Sequence, residues 1–477
     1  MPAEQPAIAA ADNAAFQASN RYRYYVVWLL FAVYVLNFVD RQILSVLNEE
    51  LKAEFGLSDT QLGVLGGFAF AVLYCTLGIP IARWADRGNR VGIISLAVLV
   101  WSAFTAVTAY AQATWHLVVA RIGVGIGEAG CSPPAYSLIS DYFEQKRRAT
   151  ALSIYSMGVY GGSFIGLFIG GMIGEKYGWR MAFLVCGIPG IALALIVKLT
   201  LREPPRGFSD PAPLAANVAM PSWPAVLRNL WAKKSFRWIS IGAALHTFAS
   251  YGVGHFYASF LVRSHGLSLT EVGQVLGTIV AIGGLSGTFL GGYLGDRFNN
   301  RYNDLRYYLW IPALLLFINI PVGQLVYGLT DRTAVLVTMV LYVALSSSFL
   351  APNIAITHRL VTARERALAS ALFLFIINLV GLGLGPMLAG VFSDFLKNFF
   401  MTQGGNVVAM IDWDSWQAPA TALRELFATA FDDYHTDVRR ATGDGLRWSL
   451  RILILVNIFS VWFYLVGARK VRAEALS

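Results

Sequence analysis

Twelve stretches of this chain are almost wholly apolar and run to about 20 residues or more. They cover 24–47, 60–82, 91–110, 115–140, 148–172, 180–200, 237–261, 271–294, 307–328, 333–357, 367–392 and 446–467. An α-helix needs about 20 apolar residues to cross the roughly 30 Å hydrocarbon core of a bilayer. A membrane strand needs only about 10, with alternating polarity. These runs are too long and too uniform for strands, and several are glycine-rich, which suits close helix packing in lipid. The composition agrees. Of 477 residues, 56% are hydrophobic and only 14% charged, and the mean hydropathy is +0.56. Soluble domains carry about 25% charged residues. The chain therefore lacks the polar surface of a water-soluble enzyme, and it is too apolar for a disordered binder. The expected fold is an all-α integral membrane protein with twelve transmembrane helices in two pseudo-symmetric six-helix halves.

The net charge of +9 is concentrated in short turns between apolar runs, so it does not point to nucleic acid. With the N-terminus placed inside, the even-numbered turns hold Arg83, Arg87 and Arg90; Lys146, Arg147 and Arg148; Arg297, Arg301 and Arg306; and Arg359, Arg364 and Arg366. The turn at 111–114 has no basic residue. This positive-inside bias puts both termini in the cytoplasm. Cys75, Cys131 and Cys186 all lie inside apolar runs and form neither a ligand spacing nor a disulfide framework. The first 20 residues lack a signal-peptide pattern.

These observations divide the chain into a mobile cytoplasmic arm (1–23), a six-helix half (24–201), a Pro-rich cytoplasmic linker (202–236), a second half (237–467) and a cytoplasmic tail (468–477). An outer loop at 393–445 interrupts the second half and includes an amphipathic stretch near 420–431. It reads as a cap over one helix hairpin. The halves echo each other: Asp86-Arg87-Gly88-Asn89-Arg90 follows span 2, and Asp296-Arg297-Phe298-Asn299-Asn300-Arg301 follows span 8. A second echo pairs Arg147-Arg148-Ala149 after span 4 with Arg364-Glu365-Arg366 after span 10. Internal repeats supply what alternating access needs, a site at their interface and a symmetric way to rock around it. Carboxylates in these turns can accept bonds from arginines and helix N-termini. Asp86, Arg87, Arg90, Asp141, Arg148, Asp296, Arg297 and Arg301 are accordingly expected to act as a gating latch. Static anchoring of the turns is the plainer alternative.

Charged residues inside apolar spans cost several kcal/mol unless they face protein, water or an opposite charge. Asp40, Arg41, Arg121 and Glu128 are such residues. Arg121 and Glu128 are two turns apart on one helix, roughly 10 Å along its axis. They are expected to line one cavity face, with Gly125 between them leaving room for a ligand or a neighbouring helix. Asn37 and Arg41 share a face with Tyr34, while Asp40 points about 100° away toward a neighbouring helix. A carboxylate's pKa rises on burial and falls beside an arginine, so a change in spacing between the two can move a proton. Asp40 and Glu128 are the expected proton-coupling groups. Arg41 and Arg121 are suited to bidentate capture of an anion, and Asn37, Tyr34, Asn353 and Asn378 complete the expected substrate contacts. A helix–helix bond is the equal alternative for Asn353 and Asn378. His246 titrates near neutral pH in water, although a packed histidine is the simpler reading, and His255 is similar.

The turn after span 2 resembles the first signature of the major facilitator superfamily, G-x-x-x-D-R/K-x-G-x-R/K. Ala82 stands for its leading Gly and Asn89 for its later one, whereas Gly292 restores the leading Gly in the second copy. Gly158, Gly161, Gly162, Gly166 and Gly170, with Gly381, Gly383, Gly385 and Pro386, resemble the family's gating helices. Asn37-Phe38-Val39-Asp40-Arg41, Arg121 to Gly130, and Ile139 to Phe143 are similar to the spinster-type branch. The resemblance implies a proton-coupled transporter, in bacteria an inner-membrane protein, moving a lysophospholipid- or sphingolipid-like anion. It implies Asp40 and Glu128 in coupling, with Arg41 and Arg121 beside them. No cofactor is expected beyond the coupling proton, no obligate protein partner, and a monomer among membrane lipids. An organic-anion or sugar-acid symporter is the alternative, and a scaffold or receptor a more distant one. No H-E-x-x-H, G-x-S-x-G or Walker pattern supports an enzyme or an ATP-driven pump.

Overall fold

A computed structural model describes residues 18–206, 208–209, 223–362, 365–402 and 438–474. Ten of its helices are long and apolar enough to cross a membrane, and the protein is an all-α integral membrane protein. The helices before the 202–236 stretch are α1 (Asn20–Val46), α2 (Asn48–Phe55), α3 (Asp59–Gly63), a π-turn (Val64–Phe68) and α4 (Ala69–Arg87). They continue with α5 (Arg90–Thr108), α6 (Thr114–Ala129), α7 (Ser132–Tyr142), α8 (Gln145–Ser156), α9 (Gly158–Tyr177) and α10 (Trp179–Thr200). After a short α11 (Trp223–Ala232) come α12 (Lys234–His255), α13 (Tyr257–His265), α14 (Leu269–Tyr302), α15 (Tyr307–Val326) and α16 (Arg332–Ser347). The last are α17 (Leu350–Arg359), α18 (Arg366–Thr402), α19 (Val438–Leu455) and α20 (Asn457–Glu474).

Two expected spans fall outside the ten. The stretch 115–140 is divided into α6 and α7 by a turn at Gly130 and Cys131, just before Pro133 and Pro134. Its first part also carries Arg121 and Glu128. The stretch 237–261 breaks at Phe256, between α12 and α13. Two boundaries also move. Trp223–Ala232 is helical inside the stretch expected to be a linker, with Val226 and Leu230 fully buried. Helix α18 continues to Thr402 because Phe395, Phe399 and Phe400 prolong its apolar run, and α19 starts at Val438. Residues 403–437, with the amphipathic stretch near 420–431, lie outside the described residues, as does most of the 1–23 arm.

Helices pack mainly within each set. In the N-terminal set α5 lies on α6 and α10, and α1 on α9; in the C-terminal set α12 lies on α18 and α20, and α14 on α16. The sets meet along two seams, α9 against α14, and α18 against α3, the π-turn and α4. Glycines allow these approaches. A Cβ on Gly287 of α14 would collide with the Ala344 carbonyl of α16, where neither backbone can give way. Gly287→Val should therefore destabilise the C-terminal set by about 1–3 kcal/mol, read as a lower thermal midpoint in detergent. Gly292→Ala serves as control, since its methyl meets Ala351 at an ordinary 3.6 Å.

Candidate functional site

A cavity of about 230 Å³ lies between the two sets of helices. Arg41 and Arg121 form its charged wall, Ser250, Ser346 and Ser347 face it from the C-terminal set, and Leu167, Leu276 and Val280 supply apolar surface. Arg41 Nε donates to Glu128 Oε2 at 2.7 Å, and the Glu128 side chain is wholly buried while Arg41 keeps 16% exposure. The arginine therefore stands between the cavity and the carboxylate. Its guanidinium also lies over three rings, Phe38 (5.1 Å), Phe70 (4.9 Å) and Tyr74 (4.8 Å). Aromatic faces stabilise a cation without offering it a fixed bond, so Arg41 retains N–H groups for another acceptor.

Arg121 is placed differently. It lines the cavity but bonds no carboxylate among the described residues. Its Nε lies 3.4 Å from the Leu65 carbonyl in the π-turn, and its Nη1 lies 3.5 Å from the Asp40 backbone carbonyl. Both contacts are long, and single π-turns inside helices commonly mark functional sites. Arg121 and Glu128 do not share one cavity wall as expected, because Arg41 covers Glu128. Gly125, between them, admits the backbone of α4 at Phe70 rather than a ligand. Asp40 turns away from the cavity as its helical phase predicts. It is buried, faces Thr105, and keeps Oδ1 without a bond partner among the described residues. Glu128 Oε1 and Asn37 Oδ1 are likewise unpartnered there.

The remaining expected contacts disperse. Tyr34 stacks on Tyr155 at 4.3 Å, away from the cavity lining. Asn353 is buried and donates to the Tyr464 hydroxyl at 2.7 Å, tying α17 to α20. Asn378 is half-buried on α18 and does not line the cavity. The turn charges bond inside their own set. Arg90 is fully buried and binds Asp141, Glu203 (2.5 Å), Ser137 (2.9 Å) and the Pro204 carbonyl (2.9 Å). Asp296 accepts from Tyr308 (2.6 Å), Arg297 donates to Tyr293 (2.6 Å), Arg301 lies over the Tyr302 ring (5.6 Å), and Arg148 donates to the Phe143 carbonyl (3.3 Å). Arg87 is exposed, and the side chain of Asp86 lies outside the described residues. In this state the turns brace each set; none of these bonds joins one set to the other.

A cluster of bonds that joins the sets lies at the opposite end and was missed in the sequence; a separate bond, between the Tyr160 hydroxyl of α9 and Thr288 of α14, joins them along the other seam. Arg263 of α13 donates to Glu49 (2.8 and 3.0 Å) and to both oxygens of Asp59 (2.7 Å). Lys52 also pairs with Asp59, and Ser393 donates to it at 2.5 Å. Asp394 of α18 accepts from the backbone N–H groups of Asp59 (3.1 Å) and Thr60 (2.8 Å), capping a helix in the other set. His255 donates from Nε2 to the Leu62 carbonyl (3.1 Å), and its own carbonyl accepts from Ser45 (2.9 Å). The cavity is thus sealed at the Asp59 end. Among the described residues no group of three or more His, Cys, Asp or Glu side chains is placed to hold a metal ion.

Residues 30–386 match the model of the Major Facilitator Superfamily. An MFS-type efflux pump of Mycolicibacterium smegmatis is 35% identical over 372 residues, 78% of this chain and 85% of that protein. The sphingosine-1-phosphate transporter SPNS2 of Danio rerio is 26% identical over 392 residues, 77% of this chain and 75% of that protein. A bacterial homologue of the human lysosomal transporter Spinster, crystallised inward-facing and occupied, superimposes with a TM-score of 0.82 at 34% identity, covering 96% of this chain and 100% of that one. Its inward-facing, unoccupied form gives 0.84. The chain belongs to the major facilitator superfamily and is a transporter related to the spinster branch.

Proposed function

We propose that the protein is a proton-coupled secondary transporter of an amphiphilic anion, working by alternating access. Twelve spans form two six-helix halves, 24–201 and 237–467, with both termini on the cytoplasmic side of a bacterial inner membrane. On this reading the Asp59 end faces outward, and the sealed state is inward-facing. The observation that carries the reading is Arg41, held between the cavity and the buried Glu128 carboxylate. An anion entering the cavity competes for this guanidinium. Once Arg41 turns to the anion, Glu128 is left buried without its partner, which favours its protonated form. Proton and anion therefore load together, and the linkage is reciprocal. Asp40, also buried with a free oxygen, is assigned to the same proton duty, and Arg121 to the anion. The apolar wall of Leu167, Leu276 and Val280 beside the two arginines supports a substrate with an anionic head and a hydrocarbon part, as does kinship with a protein named as a sphingosine-1-phosphate transporter. The turn charges Asp86 to Arg90 and Asp296 to Arg301 are assigned to a cytoplasmic latch that forms when that end closes.

The test is flux into proteoliposomes under an imposed pH gradient, with 1-oleoyl lysophosphatidate and glucuronate as separate probes. Glu128→Gln should lose at least about tenfold in gradient-driven accumulation while downhill exchange persists. Proton dependence equal to that of the unaltered protein overturns the assignment. Preference for glucuronate overturns the amphiphile.

A further inference from the structure

His246 takes no part in the pairing around Arg41. It sits on α12, is wholly buried, and joins three helices. Its Nδ1 lies 2.9 Å from Oδ1 of Asn457 on α20, and its Nε2 lies 2.9 Å from the Ser346 carbonyl of α16. A neutral imidazole carries one N–H and can serve only one of two oxygens. The doubly protonated ring serves both. The neutral ring that can take a proton from the serines carries its hydrogen on Nδ1, donates it to Asn457 Oδ1, and accepts from the Ser346 hydroxyl at Nε2. The site thus has a bonded arrangement for each charge state, and the two differ by one proton on Nε2.

A route leads from the ring to the cavity. The Ser346 hydroxyl is 3.4 Å from Nε2 and 3.3 Å from the Ser250 hydroxyl, and both serines line the cavity across from Arg41. The groups facing the ring are Asn457 from α20, Ser346 from α16 and the Phe349 ring at 4.5 Å, with Ser250 of its own helix one bond further on, against Ser346. Toward α18, the adjacent Thr247 bonds the Ile377 carbonyl at 3.1 Å. None of these groups is charged. A cation at this position is costly unless an anion comes close, and the cavity beyond the serines is where one would.

We propose that His246 is a second proton-binding site, on the C-terminal set of helices, coupled through Ser346 and Ser250 to the entry of an anion into the central cavity. This rests on the reading of the cavity as an anion site. The proton comes from cavity water, each hydroxyl passing one on as it takes one up; Ser346 delivers it to the vacant Nε2 of the ring whose Nδ1–H is held by Asn457, and the imidazolium then donates to Asn457 and to the Ser346 carbonyl. By linkage, an anion that favours the charged ring binds more tightly at acid pH.

The test uses full-length protein in nanodiscs with 15N-labelled histidine, titrated from about pH 8 to pH 5 with and without 1-oleoyl lysophosphatidate or glucuronate. One imidazole, absent from His246→Gln, should show the imidazolium shift at a midpoint that rises by about one pH unit or more on binding, a tenfold change in proton affinity. Asn457→Asp should raise the midpoint without any probe, because a carboxylate then faces the ring. A ring that stays neutral with a probe bound overturns the proposal. So does unchanged pH dependence of probe binding in His246→Gln. If neither probe binds at any pH, the anion reading of the cavity fails and the coupling to His246 falls with it. Binding without imidazolium overturns the present inference alone.

Discussion

Asp59→Asn should open the sealed end of the cavity. The Asp59 carboxylate is almost fully buried and holds Arg263 from the other set of helices, together with Lys52 and Ser393. Asp59→Asn leaves Arg263 paired with Glu49 alone and removes charge-assisted bonds worth about 1.5–3 kcal/mol. Here the loss falls on the closed state, because opening that end carries Arg263 to water. At about 1.4 kcal/mol per factor of ten, the closed population should drop by at least about tenfold relative to the open one. Spin labels at the exposed positions Tyr110 and Thr330, one in each set, should report a longer and broader distance distribution. Asp394→Asn provides a graded comparison. It weakens the cap on Asp59 and Thr60, a contribution of about 1 kcal/mol, while Asn itself caps well. An unchanged distribution in Asp59→Asn would remove this cluster from the gate.

This cluster also marks the limit of what could be read in advance. The spans were legible because apolar length is a one-dimensional signal, and the charges at 40, 41, 121 and 128 stood out because charge at that depth is costly. The partner of Glu128 was not legible. Helical phase placed Arg121 two turns away on the same face, yet Arg41 reaches across from α1 and covers the carboxylate. Glu49, Lys52, Asp59, Arg263 and Asp394 sit at span ends, where polar residues are ordinary, and only the approach of α13 and α18 to α2 and α3 turns them into one network. Phe70 and Tyr74 were hidden among many aromatic residues, with only their four-residue spacing as a signal. The serines facing the cavity had only the run Ser346-Ser347-Ser348 to mark them. The turn charges were visible and repeated, but one structure captures one state, and in this one the bonds described for them stay within their own set of helices.

Arg41→Ala should stop transport and also weaken the fold, and the two effects can be separated. The substitution removes a guanidinium that bonds Glu128 at 2.7 Å and lies over Phe38, Phe70 and Tyr74. Glu128 then remains fully buried without its cation, beside Asp40, which is also buried. Breaking such a pair from one side costs about 3–5 kcal/mol, less whatever is recovered when the carboxylate takes up a proton. Arg41→Ala should therefore lower the thermal midpoint, and more so as pH rises, since the stranded carboxylate is tolerated only when protonated. Adding Glu128→Gln removes the stranded charge. The double variant should recover most of the lost midpoint and its insensitivity to pH, giving a coupling energy of about 1–3 kcal/mol between the two positions. Flux should not recover, because the group that would hold the anion is still missing. Uptake of either probe by both variants should stay at least about a hundredfold below that of the unaltered protein. If the double variant recovers transport along with stability, Arg41 serves only to neutralise Glu128, and anion capture falls to Arg121, whose long bonds to two backbone carbonyls leave it free to turn.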